Sequence, residues 1–84
     1  MNAKQKKTMV KVFEKPTRPD VSWQEVVSLL LGTGAIMKEG KGSRVRFEKG
    51  SSNLHIHKPH PAKVLRKYSV DLVRDFLIEI GEKP

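Results

Sequence analysis

The segment SRVRFEKGSSNLHIH, residues 43–57, decides the fold. Polar and apolar residues alternate over Ser43–Glu48 and again over Asn53–His57, and a period of two residues is typical of a strand with one buried face. Between them, Lys49–Ser52 carries the glycine and serines of a tight turn. The two strands are therefore predicted to pair as an antiparallel hairpin.

The alternation also predicts which side chains of the hairpin are buried. The apolar members of both strands are predicted to face the core: Val45, Phe47, Leu54 and Ile56. Their polar neighbours are predicted to share the opposite, uncovered face: Arg44, Arg46, His55 and His57. A slip of one residue in the pairing would exchange the two sets, so the burial of these positions tests the prediction.

Two amphipathic helices flank the strands. The first is predicted from about Trp23 to Leu31, where Ser22 and Glu25 have the spacing of a capping box, in which each side chain satisfies a backbone N–H of the other. The second is predicted from about Val70 to Ile80, with Ser69 as its N-cap. Glycine follows each helix and marks its end.

A further short strand, Ala35–Lys38, precedes the hairpin. The order helix, strand, strand, strand, helix, with short turns between the strands, favours an antiparallel meander covered by helices. This is an α+β two-layer sandwich, predicted to span residues 21–84. Residues 1–20 are predicted to form a basic N-terminal arm with a short helix around Met9–Phe13, set apart from the core by Pro16 and Pro19.

The charge of the chain is concentrated in its middle. The 84 residues carry 17 basic and 9 acidic side chains, a net charge of +8, and residues 38–67 hold nine of the basic and two of the acidic groups. Such a field attracts polyanions, nucleic acid above all, although a charged surface also serves solubility alone. The chain has no cysteine, which excludes disulfides, thiolate metal sites and a cysteine nucleophile. No apolar segment is long enough for a signal peptide or a membrane span, so a cytoplasmic protein is predicted.

Guanidinium and imidazole groups on one sheet face combine two chemical properties. Arginine binds phosphate with a planar fork of donors, and histidine exchanges a proton near neutral pH. Together they suit cleavage of RNA without metal or cofactor, because the 2′-OH of RNA is its own nucleophile. The candidates for catalysis are His57, His60, His55 and Arg44. The candidates for RNA binding are Arg44, Arg46, Lys38, Lys41, Lys58 and Lys63.

Simpler interpretations stay open for the same residues. His55 and His57 are also compatible with a solvated sheet face, and His60 with a rigid loop whose imidazole bonds only to the backbone. The His-x-His spacing and the nearby His60 allow a zinc site, but no Asp or Cys nearby completes the ligand set. Arg44 and Arg46 are also compatible with a role that only keeps an exposed sheet soluble.

Gly42-Ser43-Arg44 leading into a strand, then His57-Lys58-Pro59-His60-Pro61, then a terminal amphipathic helix, resembles the HicA toxins of bacterial type II toxin–antitoxin systems. The resemblance runs from about Val21 to Gly81. It implies a double-stranded-RNA-binding-domain-like fold of α-β-β-β-α order. It also implies a ribosome-independent mRNA interferase that blocks translation and is neutralised by a HicB-type antitoxin, which covers the toxin's active site.

One position departs from the family pattern. The usual motif is Gly-Ser-His, whose histidine is catalytic, and this chain has Arg44 in that place. Arginine stays protonated and cannot be a general base near neutral pH, although it can hold phosphate. If the chain cleaves RNA, His55, His57 or His60 must therefore move the proton. The alternative is a non-catalytic module that binds RNA or the antitoxin.

Overall fold

The sheet has three antiparallel strands in the order β1-β2-β3. The computed structural model describes all 84 residues and places β1 at Ile36–Glu39, β2 at Arg44–Lys49 and β3 at Ser52–His57. The three predicted strands are confirmed, with their ends displaced by one residue. The tight turn between β2 and β3 includes Gly50 at φ +59°, a conformation that costs glycine nothing.

The register of the hairpin agrees with the alternation of its sequence. Val45 lies opposite Ile56 and Phe47 opposite Leu54, and each of these four side chains is at most 4% exposed. The intervening residues of both strands are exposed on the other face. The prediction of which face is buried is therefore confirmed.

Helix α2 spans Trp23–Gly32 and begins with the predicted capping box. The Ser22 hydroxyl accepts a hydrogen bond from the Glu25 N–H at 3.1 Å, and the Glu25 carboxylate accepts one from the Ser22 N–H at the same distance. Trp23 packs its ring against Phe47 of the sheet, with centroids 6.3 Å apart and planes tilted by 59°. The start of α2 is thereby fixed both locally and against the core.

Helix α3 spans Lys67–Glu79 and begins earlier than predicted. Its N-cap is Arg66, and the N–H of Ser69 donates to the Arg66 carbonyl at 3.0 Å inside the first turn. The prediction of Ser69 as N-cap is wrong, because the helix begins with Lys67 and Tyr68, which are exposed and carry no apolar periodicity. The predicted apolar stripe faces the core: Val70, Val73, Phe76 and Leu77 are buried, and Ile80 is half-buried against them.

The N-terminal residues contain a third helix, α1, at Ala3–Phe13. Asn2 and Gln5 form a capping box at its start. Met9 and Val12 are 2% and 0% exposed and belong to the same apolar core as the strands and the other helices. The helix packs against α2 and α3, so the expectation that the two prolines set it apart from the core is wrong. Its apolar side is part of the core, because Met9 and Val12 face the other helices.

The side chain of Arg74 in α3 holds the C-terminal end of α1. Its Nε donates to the Val12 carbonyl at 2.8 Å, and Nη2 donates to the Glu14 carbonyl at 3.3 Å and to the Thr17 hydroxyl at 3.2 Å. Nη1 pairs with Asp71 at 3.0 Å. Backbone carbonyls at a helix end have no partner within the helix, and this guanidinium supplies one.

The helices lie on one side of the sheet and leave its other face uncovered, because their buried apolar residues join the cluster that contains the inward side chains of β2 and β3. None of the helices combines the length and apolar character needed to cross a membrane.

Candidate functional site

The uncovered sheet face carries two rows of basic side chains. Lys38 of β1 lies opposite Arg46 of β2, which lies opposite His55 of β3. One step along the hairpin, Arg44 lies opposite His57. Side chains of directly opposed residues stand about 5 Å apart at their Cβ atoms, so these five residues form one surface, which we call the basic face.

The cations of the basic face differ in their availability. Glu48, which follows on the same side of β2, forms ion pairs with both Arg46, at 2.6 Å from Nε, and Lys38, at 3.4 Å from Nζ. Arg44 makes no ion pair and no side-chain hydrogen bond within the protein. The guanidinium of Arg44 is therefore the one on this face whose donors are all free for an external anion, while Arg46 is partly neutralised.

His57 is the only one of the three histidines with a side-chain hydrogen bond. Its Nδ1 lies 3.1 Å from the hydroxyl of Ser43, the residue that precedes β2. The contact is supported by the backbone, since the Lys58 N–H donates to the Ser43 carbonyl at 2.7 Å. With Nδ1 engaged, the Nε2 atom of His57 is the nitrogen left for a substrate.

His57 and His60 line one cavity of about 320 Å³. Its walls are the segment that follows β3 and the first turn of α3, which contributes Tyr68. Two cations, Lys58 and Arg66, also line it, and no Asp or Glu does. The structure therefore brings together the two histidines that the sequence separates by a rigid proline-containing loop.

The loop between β3 and α3 is held in place by the start of α2. The Trp23 N–H donates to the Lys63 carbonyl at 2.9 Å, and the Leu65 N–H donates to the Val21 carbonyl at 2.8 Å, with Ser22 and Val64 bridged between them. These bonds anchor the C-terminal half of the loop and so position His60 relative to the sheet.

The other predicted site residues lie in different places. His55 lines a second cavity, of about 340 Å³, together with Arg44, Arg46 and Lys38. Lys41 is exposed in the turn between β1 and β2, at the edge of the basic face. Lys58 lines the cavity of His57 and His60.

Lys63 lies away from the basic face. It lines a larger groove of about 860 Å³ beneath the loop, beside Trp23, Leu31 and Met37. No histidine and no carboxylate lines this groove. Lys58 lines both this groove and the cavity of His57 and His60, because the loop that contains it lies between the two.

No three side chains of the metal-ligating types are grouped closely enough to hold a metal ion.

Two features of the site were not predicted from the sequence. The contact of Ser43 with His57 depends on strand register, and the position of Tyr68 depends on where α3 begins. The one sequence signal for Tyr68 was its place as the only tyrosine, seven residues after the proline loop.

The fold and the site define a small α+β domain whose open sheet face is basic and carries imidazoles. The model of the family described as HicA toxin of bacterial toxin–antitoxin matches residues 23–80. The chain therefore belongs to the HicA toxin family and is a toxin module of a toxin–antitoxin system, as the resemblance of its motifs implied. Searches of curated proteins and of solved structures returned no significant match.

Proposed function

We propose that this protein is an mRNA interferase, an endoribonuclease that cuts RNA without a metal ion. The observation that carries the proposal is the register of the sheet, which sets Arg44 opposite His57 and Arg46 opposite His55 on the uncovered face. Family membership supports a toxin that acts with an antitoxin. A surface of exposed guanidinium and imidazole groups matches a ribose-phosphate chain in charge and in proton chemistry.

The reaction uses the RNA's own nucleophile. A histidine takes the proton of a 2′-OH, whose oxygen attacks the adjacent phosphorus, and the bond from phosphorus to the 5′-oxygen breaks as a second histidine protonates that oxygen. The products are a 2′,3′-cyclic phosphate and a 5′-hydroxyl. DNA has no 2′-OH and is not a substrate.

His57 and His60 are the proposed pair for proton transfer, since they line one cavity, with His55 next. Arg44 holds the phosphate and stabilises the charge of the phosphorane, because it is permanently charged and its donors are free. Arg46, Lys38, Lys41, Lys58 and Lys63 extend the electrostatic contact with RNA. In this proposal Arg44, at the motif position, binds the phosphate, and the neighbouring histidines transfer the protons.

The proposed partner is a HicB-type antitoxin, and the proposed location is the cytoplasm, where mRNA is translated. An antitoxin that neutralises this chain would have to cover the basic face or the cavity of His57 and His60. Acidic side chains on the antitoxin would complement the cations there.

Cleavage of a labelled, unstructured RNA in EDTA, at low salt and neutral pH, tests the proposal. We expect 2′,3′-cyclic phosphate ends, and protection of any bond whose 2′-OH is replaced by hydrogen. His57→Ala and His60→Ala should each lower the rate by about 10²–10⁴-fold, the usual contribution of general acid–base catalysis. Asn53→Ala, an exposed change on the same strand and face, is the matched control and should leave the rate unchanged.

A non-catalytic RNA-binding or antitoxin-binding module is the second candidate, favoured by Arg44 at the position of the family's catalytic histidine. It predicts RNA affinity that falls steeply with salt and no cleavage under any of these conditions. RNA that stays intact with bound wild-type protein would therefore replace the first proposal with the second. RNA that neither binds nor breaks would overturn both RNA-directed functions.

A further inference from the structure

Tyr68 is the one exposed aromatic side chain of the protein. Trp23, Phe47 and Phe76 are buried and Phe13 is half-buried, whereas Tyr68 is 57% exposed. Its hydroxyl makes no hydrogen bond within the protein, and its ring pairs with no other aromatic ring. The core therefore does not require Tyr68, and its large ring is free on the surface.

The location of Tyr68 connects it with the candidate site. It is the second residue of α3 and lines the cavity of about 320 Å³ into which His57 and His60 also face. Arg66 and Lys58 line the same cavity, and its remaining walls are largely apolar: Pro59, Ala62, Val64 and Leu65. An aromatic ring beside cations and apolar walls is the combination that receives a nucleobase together with its phosphate.

We propose that Tyr68 is the stacking platform for an RNA base next to the phosphodiester that is cleaved, a nucleobase subsite formed by the loop after β3 and the first turn of α3. The inference rests on the proposed function and adds to it the position of one base. With Tyr68 under the base, Lys58 and Arg66 lie within the same cavity to contact the flanking phosphates, and the two histidines adjoin the ribose.

The chemistry of the cavity favours RNA over a protein segment as the occupant. Four of its lining residues are cationic or can become so, and none is acidic. The electrostatic potential of such a cavity favours a phosphate group over an acidic or neutral peptide side chain. The ring of Tyr68 is exposed and makes no polar contact within the protein. A nucleobase can therefore stack on its face without displacing an existing interaction.

Binding of a single-stranded 2′-O-methyl RNA to the full-length protein tests the proposal, because this RNA cannot be cleaved. Tyr68→Ala should weaken binding about 5- to 100-fold, the range for loss of one base–aromatic stack, while Tyr68→Phe should change it by less than about twofold because the phenyl ring also stacks. The salt dependence of the affinity should be the same in all three proteins, since tyrosine neutralises no phosphate. Leu72→Ala, an exposed apolar change one turn along α3, is the control for lost surface area.

An abasic scan identifies the base. Removing one base at a single position of the oligonucleotide should weaken binding to the wild-type protein, and the same removal should have no further effect on Tyr68→Ala. Equal losses in both proteins at every position would overturn the stacking platform, as would a loss in Tyr68→Phe equal to that in Tyr68→Ala. If Tyr68→Ala binds RNA as tightly as the wild-type protein, with the same salt dependence, this inference is overturned and the proposed function stays in place. Absence of any RNA binding would overturn both.

Discussion

At the scale of single residues, the proposed site depends on the pairing of Arg44 with His57. They are directly opposed across β2 and β3, so an imidazole stands beside the guanidinium that we propose binds the phosphate. Arg44 contributes a permanent charge and five N–H donors, and His57 contributes the titratable group. We therefore propose that phosphate binding and proton transfer are divided between these neighbouring strands, with proton transfer assigned to His57.

Ser43 is predicted to be a positioning residue for His57. Its hydroxyl lies 3.1 Å from Nδ1, and engagement of one ring nitrogen selects the tautomer of the other. We expect nitrogen NMR of the neutral imidazoles to show one dominant tautomer for His57 in the wild-type protein. In Ser43→Ala the tautomer ratio should move toward that of His55, which has no such partner.

The other two histidines are internal controls for this measurement, because His55 and His60 should keep their spectra. Ser43→Thr retains the hydroxyl and should retain the His57 tautomer. If RNA cleavage is measured as well, Ser43→Ala should lower kcat more than it changes KM. An unchanged His57 spectrum in Ser43→Ala would show that the hydrogen bond has no positioning role.

At the scale of elements, α1 is an addition to the segment that the family model covers, and it is built into the core. The match begins at residue 23, whereas Met9 and Val12 are completely or almost completely buried among residues of the matched segment. The functional division between residues 1–20 and 21–84 stays a prediction. Structurally, the packing of α1 depends on apolar contacts and on the guanidinium of Arg74.

Arg74→Met should lower the free energy of unfolding by about 1–3 kcal/mol, the usual cost of leaving buried hydrogen-bond acceptors without donors. The affected acceptors are the carbonyls of Val12 and Glu14. Methionine is long enough to fill most of the space, so loss of packing is kept small. Urea unfolding followed by circular dichroism measures the change.

Arg66→Ala on the same helix is the control, because Arg66 is exposed and its side chain makes no cap hydrogen bond. It should change the stability by no more than about 0.5 kcal/mol. Hydrogen exchange adds a local measurement, since the amides of α1 should lose protection before those of β2 in Arg74→Met. Equal stability of Arg74→Met and Arg66→Ala would show that the network does not hold α1.

At the scale of the whole molecule, carboxylates that accept hydrogen bonds from arginine or threonine make stability depend on pH. The Thr17 hydroxyl donates to Asp71 at 2.6 Å and, with the charge of Arg74, holds the pKa of Asp71 below its ordinary 3.8. The hydrogen bonds from Arg18 lower the pKa of Asp20 to about 2. Because these pKa values are depressed in the folded state, the stability they contribute is complete above the ordinary pKa and is lost as the pH falls.

The urea midpoint should therefore fall as the pH is lowered from 5 toward about 2, the range over which depressed carboxylates take up protons. Asp71→Asn should be less stable at neutral pH and should lose less on acidification, because asparagine does not titrate. Asp75→Asn is the matched control on the same helix, since Asp75 pairs with no cation, and it should follow the wild-type curve. Parallel curves for Asp71→Asn and the wild-type protein would refute the role of Asp71.

Local sequence patterns were sufficient to predict the strands, their buried and uncovered faces and the capping box of α2. These features follow from rules that act over two to four residues, side-chain alternation in a strand and the spacing of Ser22 and Glu25. The basic face was predictable for the same reason, since a hairpin with a tight turn leaves little freedom in its register. The prediction of Ser69 as a cap was wrong because the exposed Lys67 and Tyr68 give no periodic signal.

Contacts between residues far apart in the sequence could be identified only from the folded structure. Arg74 bonds to Val12 across 62 residues of sequence, and Tyr68 reaches the cavity of His57 and His60 only because α3 begins at Lys67 and the loop is held against α2. Such contacts depend on how whole elements pack, and a pattern that repeats every two or four residues contains no information about a neighbour many residues away. The site's charged face is thus local in origin, while its cavity is a product of packing.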